Sequence, residues 1–164
     1  MSTLAVIGYN DVFKAEEVRI TLLKMQRDYH RATVTMAAAH EAKGDTQLAR
    51  TLYEGVLSAD PNERRALPAY GYLLARSGDA AAARAVAARL ENMDANLRNC
   101  AFQVAVVYEG IHEHERALDW LERAWRTRQA HFPFAAAELR FRDLHGNTRF
   151  RELLGRAGLT PVAR

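Results

Sequence analysis

From Ala15 onward, apolar or small residues fall at Ala15, Val18, Leu22, Met25, Tyr29, Ala32, Met36 and Ala39, in alternating steps of three and four. Those steps match a helix with a sustained seam of coiled-coil character. No Gly or Pro lies between Gly8 and Gly44, so the pattern predicts either one long helix or two helices broken near Asp28–His30. Further along, a second pattern repeats at an interval of 34 residues: a glycine or polar hinge followed by Ala, at Gly44 and Ala49, Gly78 and Ala83, His112 and Ala117. The same frame aligns Tyr53, Ala87 and Leu121, then Val56, Leu90 and Ala124. Upstream it aligns the small residues Ala37, Gly71 and Ala105, each followed three residues later by His40, Leu74 or Tyr108. Two helices of one hairpin cross closely where side chains are small, and larger neighbours fill the adjoining holes. The frame therefore predicts helix pairs over 30–43 and 46–59, 64–77 and 80–92, and 97–110 and 114–127.

A small residue and an aromatic in a first helix, a turn, then Ala, an aromatic and a closing Pro form the signature of the tetratricopeptide repeat family, which residues 30–129 resemble. The match is fullest in AKGDTQLARTLYEGVLSADPN, residues 42–62, where Gly44-Asp45 makes the turn, Ala49 and Tyr53 pack, and Asp60-Pro61-Asn62 closes the second helix. The later copies depart from it. Ala95 and Gln129 stand at the Pro61 position, Ala87 replaces the aromatic, and His112 replaces the turn glycine, with Gly110 expected to supply the flexibility. The resemblance implies an all-α fold of three hairpins, 30–63, 64–97 and 98–129, in a short right-handed solenoid.

Residues 130–164 read as a closing helical cap. The stretch 138–159 resembles an element found after such repeats in bacterial signalling and regulatory proteins. Its Phe141, Leu144, Phe150, Leu153 and Leu154 are spaced to cover the last repeat, and Gly146-Asn147-Thr148 divides it into a short and a final helix. Residues 1–29 read as a strand over Thr3–Gly8 followed by an amphipathic helix. That opening resembles a family of uncharacterised bacterial predicted membrane proteins, but the acidic second strand and glycine-rich stretch of that family are absent, so no membrane role follows. A lone strand edge invites pairing with another copy, and the arm is expected to favour a homodimer.

Composition narrows the class. The chain of 164 residues is 49% hydrophobic and 26% charged, with 30 Ala and 20 Arg but three Lys, a mixture that favours helices over strands and a packed core over disorder. The single cysteine, Cys100, reads as a core filler and points to no oxidising compartment. No basic leader and no run of about 18 apolar residues occurs, so a cytoplasmic protein is expected. The net charge of +3 is uneven: residues 123–164 carry nine basic and three acidic side chains. These arginines fall at helical spacing without a basic run or an aromatic ladder, which reads as a solvated face before a nucleic-acid site.

No catalytic machinery is recognisable. His112 and His114 lie two apart, a spacing that does not share a helix face, and no phosphate loop, nucleophile elbow or paired carboxylates occur. No enzyme, cofactor or metal is expected. The resemblance instead implies a ligand-facing surface on the first helix of each hairpin: Arg31, Val34, Ala38 and Glu41; Arg65, Pro68, Tyr72 and Arg76; Asn99, Phe102, Val106 and Glu109. From these, Arg65, Tyr72, Arg76, Asn99, Phe102, Val106 and Glu109 are the candidate partner-binding residues, because aromatics and arginines dominate binding hot spots. Pro68 is expected to delay or kink its helix. The lysine and asparagine set that clamps chaperone carboxylates is missing from these positions. The expected function is a non-enzymatic scaffold capturing a peptide or helix. The alternatives are a homo-oligomer whose groove its own N-terminal arm fills, and an Arg-rich regulatory or nucleic-acid-associated module. The same ligand-facing residues could also pack against the long N-terminal helix or the C-terminal cap.

Overall fold

The computed structural model describes residues 12–160, and over them every regular element is a helix. The strand expected over Thr3–Gly8 lies outside the described residues. In chain order the α-helices are α1 (Val12–Ala42), α2 (Thr46–Ala59), α3 (Ala66–Arg76), α4 (Ala80–Met93), α5 (Ala101–Gly110), α6 (His114–Arg126) and α7 (Thr148–Arg156). A π-type turn over Asp94–Arg98 joins α4 to α5, and 3-10 segments over Phe132–Phe134 and Leu139–Gly146 lead into α7. Helix α1 passes Asp28–His30 without a break.

Helices α1 and α2, α3 and α4, and α5 and α6 pair as hairpins, and α3 also packs on α1, α2 and α5. The hairpins repeat in backbone as well as in sequence. Gly44, Gly78 and His112 all take positive φ, at 84°, 87° and 59°. The next residues, Asp45, Asp79 and Glu113, share nearly one conformation, with φ of −83°, −88° and −85°. Each of these three donates its backbone N–H to a carbonyl five residues back, on His40, Leu74 or Tyr108, at 2.9, 3.0 and 3.0 Å. Glycine reaches this left-handed region without a Cβ clash, whereas His112 adopts it at some steric cost. Gly110 does not supply the turn's flexibility. It lies inside α5, where a Cβ would come within 2.9 Å of both Ala75 Cβ and the Tyr72 ring.

Caps follow the local sequence. Asp45 accepts from Leu48 N–H at 3.3 Å and Asp79 from Ala82 N–H at 3.1 Å, each taking up one of the N–H groups a helix start leaves unpaired. At the equivalent position Glu113 instead pairs with Arg84 and Arg116. Helix α3 begins after Glu63, whose carboxylate accepts from Arg65 N–H at 2.8 Å and Ala66 N–H at 2.6 Å. Pro68 then falls in the first turn, where its missing N–H costs nothing, so the helix starts late.

The framed residues form the hairpin cores: Ala49, Ala83 and Ala117 are wholly buried, as are Tyr53, Ala87 and Leu121. Helix α5 is apolar on all sides because it packs on α3, α4, α6 and the Leu139–Gly146 segment. It begins at Ala101, several residues later than its period implies, because Asn99 takes a left-handed conformation after the π-type turn. Buried Asp94 organises that junction. Its carboxylate accepts from Cys100 N–H at 2.7 Å, Arg123 Nε at 2.6 Å and Gln129 Nε2 at 3.3 Å, while Gln129 Oε1 accepts from Phe102 N–H.

At the far end Phe141, Leu144, Phe150, Leu153 and Leu154 join Phe102, Val106, Leu118 and Leu121 in one buried cluster. Arg149 of α7 ties this end down. Its guanidinium donates to Glu122 at 3.1 Å, Asp119 at 2.6 Å and Glu115 at 3.0 Å along α6, contacts that hold it further into the charged form. Arg156 adds Glu122 and the Trp125 ring. Part of the basic excess of the C-terminal segment therefore meets acidic residues of α6.

Candidate functional site

Three clefts open along the face shared by α1, α3 and α5. The largest, ≈ 830 Å³, lies between α1 and the α2–α3 turn, with Leu23, Arg27, His30, Arg31, Arg64 and Arg65 on its walls. The carboxylates that also line it are occupied: Asp60 accepts from Asn62 N–H at 3.0 Å, and Glu63 caps α3. A second cleft of ≈ 510 Å³ shares Arg64 and Arg65 and continues past Pro68, Phe102, Gln103 and Val106 to Phe134 and Arg140. Phe134 is 64% exposed, and the buried Gln103 Oε1 has no hydrogen-bond partner. The two clefts thus form one path with arginines at its middle and an exposed apolar side chain toward each end.

The third cleft, ≈ 520 Å³, is lined by Glu41, Tyr72 and Arg76. Burial raises the Glu41 carboxyl, opposed by the Tyr53 hydroxyl that donates to it at 3.3 Å. Burial also raises the Tyr72 hydroxyl, and Arg140 lies over the Tyr72 ring at 5.7 Å. Arg140 is itself held by Glu138 through two bonds of 2.9 and 2.8 Å. Burial works to raise the Glu138 carboxyl, but these bonds outweigh it and its pKa falls.

The candidate binding residues separate into three environments. Arg65 sits where the first two clefts meet, while Tyr72 and Arg76 line the third. Phe102 and Val106 lie beneath the C-terminal segment: Phe102 is 5% exposed, edge to face with Phe141 at 5.4 Å and tilted against His131 at 6.1 Å. Glu109 is buried, and its carboxylate meets His114 Nδ1 at 2.9 Å. Burial raises its pKa, with the His114 contact opposing. Asn99 is exposed at the left-handed junction before α5 and off the helix face. The side chains that pack over Phe102 on this face therefore come from residues 131–141 of the same chain.

Sequence reasoning passed over Arg27, Arg64, Phe134 and Arg140. Arg64 and Arg65 are adjacent ahead of a helix, and Arg27 and Arg31 are one turn apart on α1, a pairing that could have marked them. Among the described residues no group of three His, Cys, Asp or Glu side chains is placed to hold a metal ion. No helix among them is long and apolar enough to cross a membrane. No protein-family model matches the chain, no curated protein matches it, and no solved structure matches it.

Proposed function

We propose that the three hairpins are tetratricopeptide-type repeats in a short right-handed solenoid, and that the protein is a non-enzymatic interaction scaffold binding an acidic peptide or helix. The observation that carries this reading is the pair of clefts meeting at Arg64 and Arg65, where arginines outnumber carboxylates and the three lining carboxylates, Asp60, Glu63 and Glu138, already accept backbone N–H bonds. Arginine presents forked donors that match a carboxylate. Leu23 and Phe134 supply apolar contact on either side of them. The ligand path thus keeps Arg65, Phe102 and Val106 from the expected binding set and extends from α5 to α1 and the Phe132–Phe134 segment, whose Leu23 and Phe134 are the more exposed apolar side chains, since Phe102 is 5% and Val106 1% exposed. The mechanism is capture by charge at the centre with apolar anchoring toward the ends.

The test is fluorescence anisotropy with two labelled 16-residue amphipathic peptides that share apolar positions, one with Glu and one with Lys on the polar face. The Glu peptide is expected to bind, with affinity falling as salt rises, and Arg64→Glu/Arg65→Glu to abolish binding. Phe134→Ala is expected to weaken binding at every salt concentration, because apolar contacts are not screened. Equal binding of both peptides, or binding indifferent to the arginine reversal, overturns the reading.

A further inference from the structure

Helix α6 ends in the same left-handed turn that closes the first helix of each hairpin. Arg128, at φ 51°, donates its backbone N–H to the Trp125 carbonyl at 3.0 Å, and Gln129 donates to the Ala124 carbonyl, five residues back, at 2.9 Å. No α-helix follows until Thr148. The end of α6, the Phe132–Phe134 segment and the residues after α7 instead border a cleft of ≈ 490 Å³, walled by Trp125, Phe132, Pro133 and Leu159 and carrying Arg126 and Arg128. It shares no lining residue with the three clefts on the face of α1, α3 and α5. We infer that this cleft is a binding site for an organic carboxylate with an apolar body, of the size of a medium-chain fatty acid.

Size, surface and charge select this ligand. Sites for small organic molecules are mostly apolar clefts of about 300–1,000 Å³ with a few polar groups that fix orientation. Here the walls are aromatic and aliphatic, and no carboxylate is among the lining residues. The one neutral polar side chain, Gln129, is committed elsewhere: its Oε1 accepts from Phe102 N–H and its Nε2 donates to Asp94. That leaves Arg126 and Arg128 to meet a polar ligand group, and neither makes an ion pair or a side-chain hydrogen bond among the described residues. The arginines near them are used differently, since Arg123 is held by Asp94 and both Arg149 and Arg156 by Glu122. The turn takes up the Ala124 and Trp125 carbonyls, which lessens the negative potential that open carbonyls give a helix C-terminus. A guanidinium fork matches a carboxylate, and the pair strengthens where apolar walls displace water. A bare inorganic anion would leave those walls unused, and a neutral hydrocarbon would leave the arginines unused.

The test is NMR titration of the isotope-labelled full chain with octanoate, octan-1-ol and acetate, read at the indole N–H of Trp125, which lines the cleft, and of Trp120, which lies outside it. Octanoate is expected to shift Trp125 and leave Trp120 in place, with a Kd on the order of 1 mM, ordinary for a ligand of about ten non-hydrogen atoms. Octanol, with the same body and no charge, should bind about tenfold more weakly, the effect of losing two exposed charge contacts. Acetate should not saturate. Arg126→Gln/Arg128→Gln should weaken octanoate about tenfold and erase its advantage over octanol; both side chains are exposed, so the fold does not rest on them. Leu159→Ser should weaken octanoate and octanol alike, and if that variant does not fold, the arginine pair and the three probes still decide. Arg64→Glu/Arg65→Glu should leave octanoate binding unchanged, which separates this site from the peptide path. No saturable shift of Trp125 by about 10 mM octanoate overturns the inference. Equal affinity for octanoate and octanol, acetate matching octanoate, or binding that is indifferent to the Arg126 and Arg128 changes or lost with Arg64 and Arg65 does so too. Tighter binding of a pentapeptide with an apolar C-terminal residue also overturns it, in favour of a receptor for a chain terminus.

Discussion

The two ends of the hairpin stack solve one problem differently. At the C-terminal end, the apolar surface of α5 and α6 is closed by the chain itself. Phe141, Phe150, Leu153 and Leu154 are wholly buried there, and Arg149 clamps α7 to three carboxylates of α6. At the N-terminal end, α1 runs past the hairpins with Leu22, Met25 and Tyr29 more than half exposed. A stack in which each unit buries its neighbour leaves an open surface at each terminus. Here one terminus is closed within the described residues, whereas at the other the apolar side chains of α1 stay exposed among them.

The largest test of that contrast is truncation. Phe141→Ala should cost about 3–5 kcal/mol in chemical denaturation, because the ring is wholly buried against Phe102 and Phe150 and its removal leaves a cavity. Tyr29→Ala, at a ring that is mostly exposed, should change stability by no more than ~0.5 kcal/mol. A comparable loss at both sites would show that the α1 seam is packed within the monomer. Added volume provides the next test. Ala83→Leu overpacks a wholly buried helix crossing and should cost about 1–3 kcal/mol, while Ala32→Leu on the exposed seam should be near neutral in the same assay.

A pH series sharpens the comparison at the covered face of α5. Burial gives Glu109 a higher pKa folded than unfolded, so between those two values the folded protein binds more protons. Stability from this group is therefore lost as pH rises from the ordinary carboxyl range through the folded value. Glu109→Gln should flatten that decline when thermal midpoints are compared between about pH 4 and pH 7, and an unchanged slope would mean that Glu109 titrates as an ordinary carboxyl. The smallest effect belongs to the clamp: Arg149→Ala should cost at most about 1 kcal/mol, and less at high salt, because the guanidinium and its partners remain partly hydrated.

Much of the hairpin arrangement was legible because it rests on local chemistry. Gly44 and Gly78 mark left-handed turns that other residues enter at a cost, Asp45 and Asp79 cap the helices that follow, and small residues at Ala49 and Ala83 recur with them at one interval. Gly110 was misread as a source of turn flexibility. A glycine needed for close approach looks the same in sequence as one needed for its backbone angle, and only the neighbouring Tyr72 and Ala75 distinguish them. The binding face was partly legible. Arg65, Tyr72, Arg76, Phe102 and Val106 all line clefts, but Phe102 and Val106 are almost wholly buried there because the C-terminal segment packs over them.

By itself, the sequence determined the helical class, the hinge positions, the small-residue crossings and the apolar seam of α1, since each follows from a residue's own conformational preference or from a period along one element. The tertiary structure alone decided where the segment after α6 goes. It laid Phe141 across Phe102, set Arg140 over Tyr72, and brought Arg64 and Arg65 beside Arg27 and Arg31. Those contacts join elements far apart in the chain, and no local preference of either partner specifies which surface the other will cover.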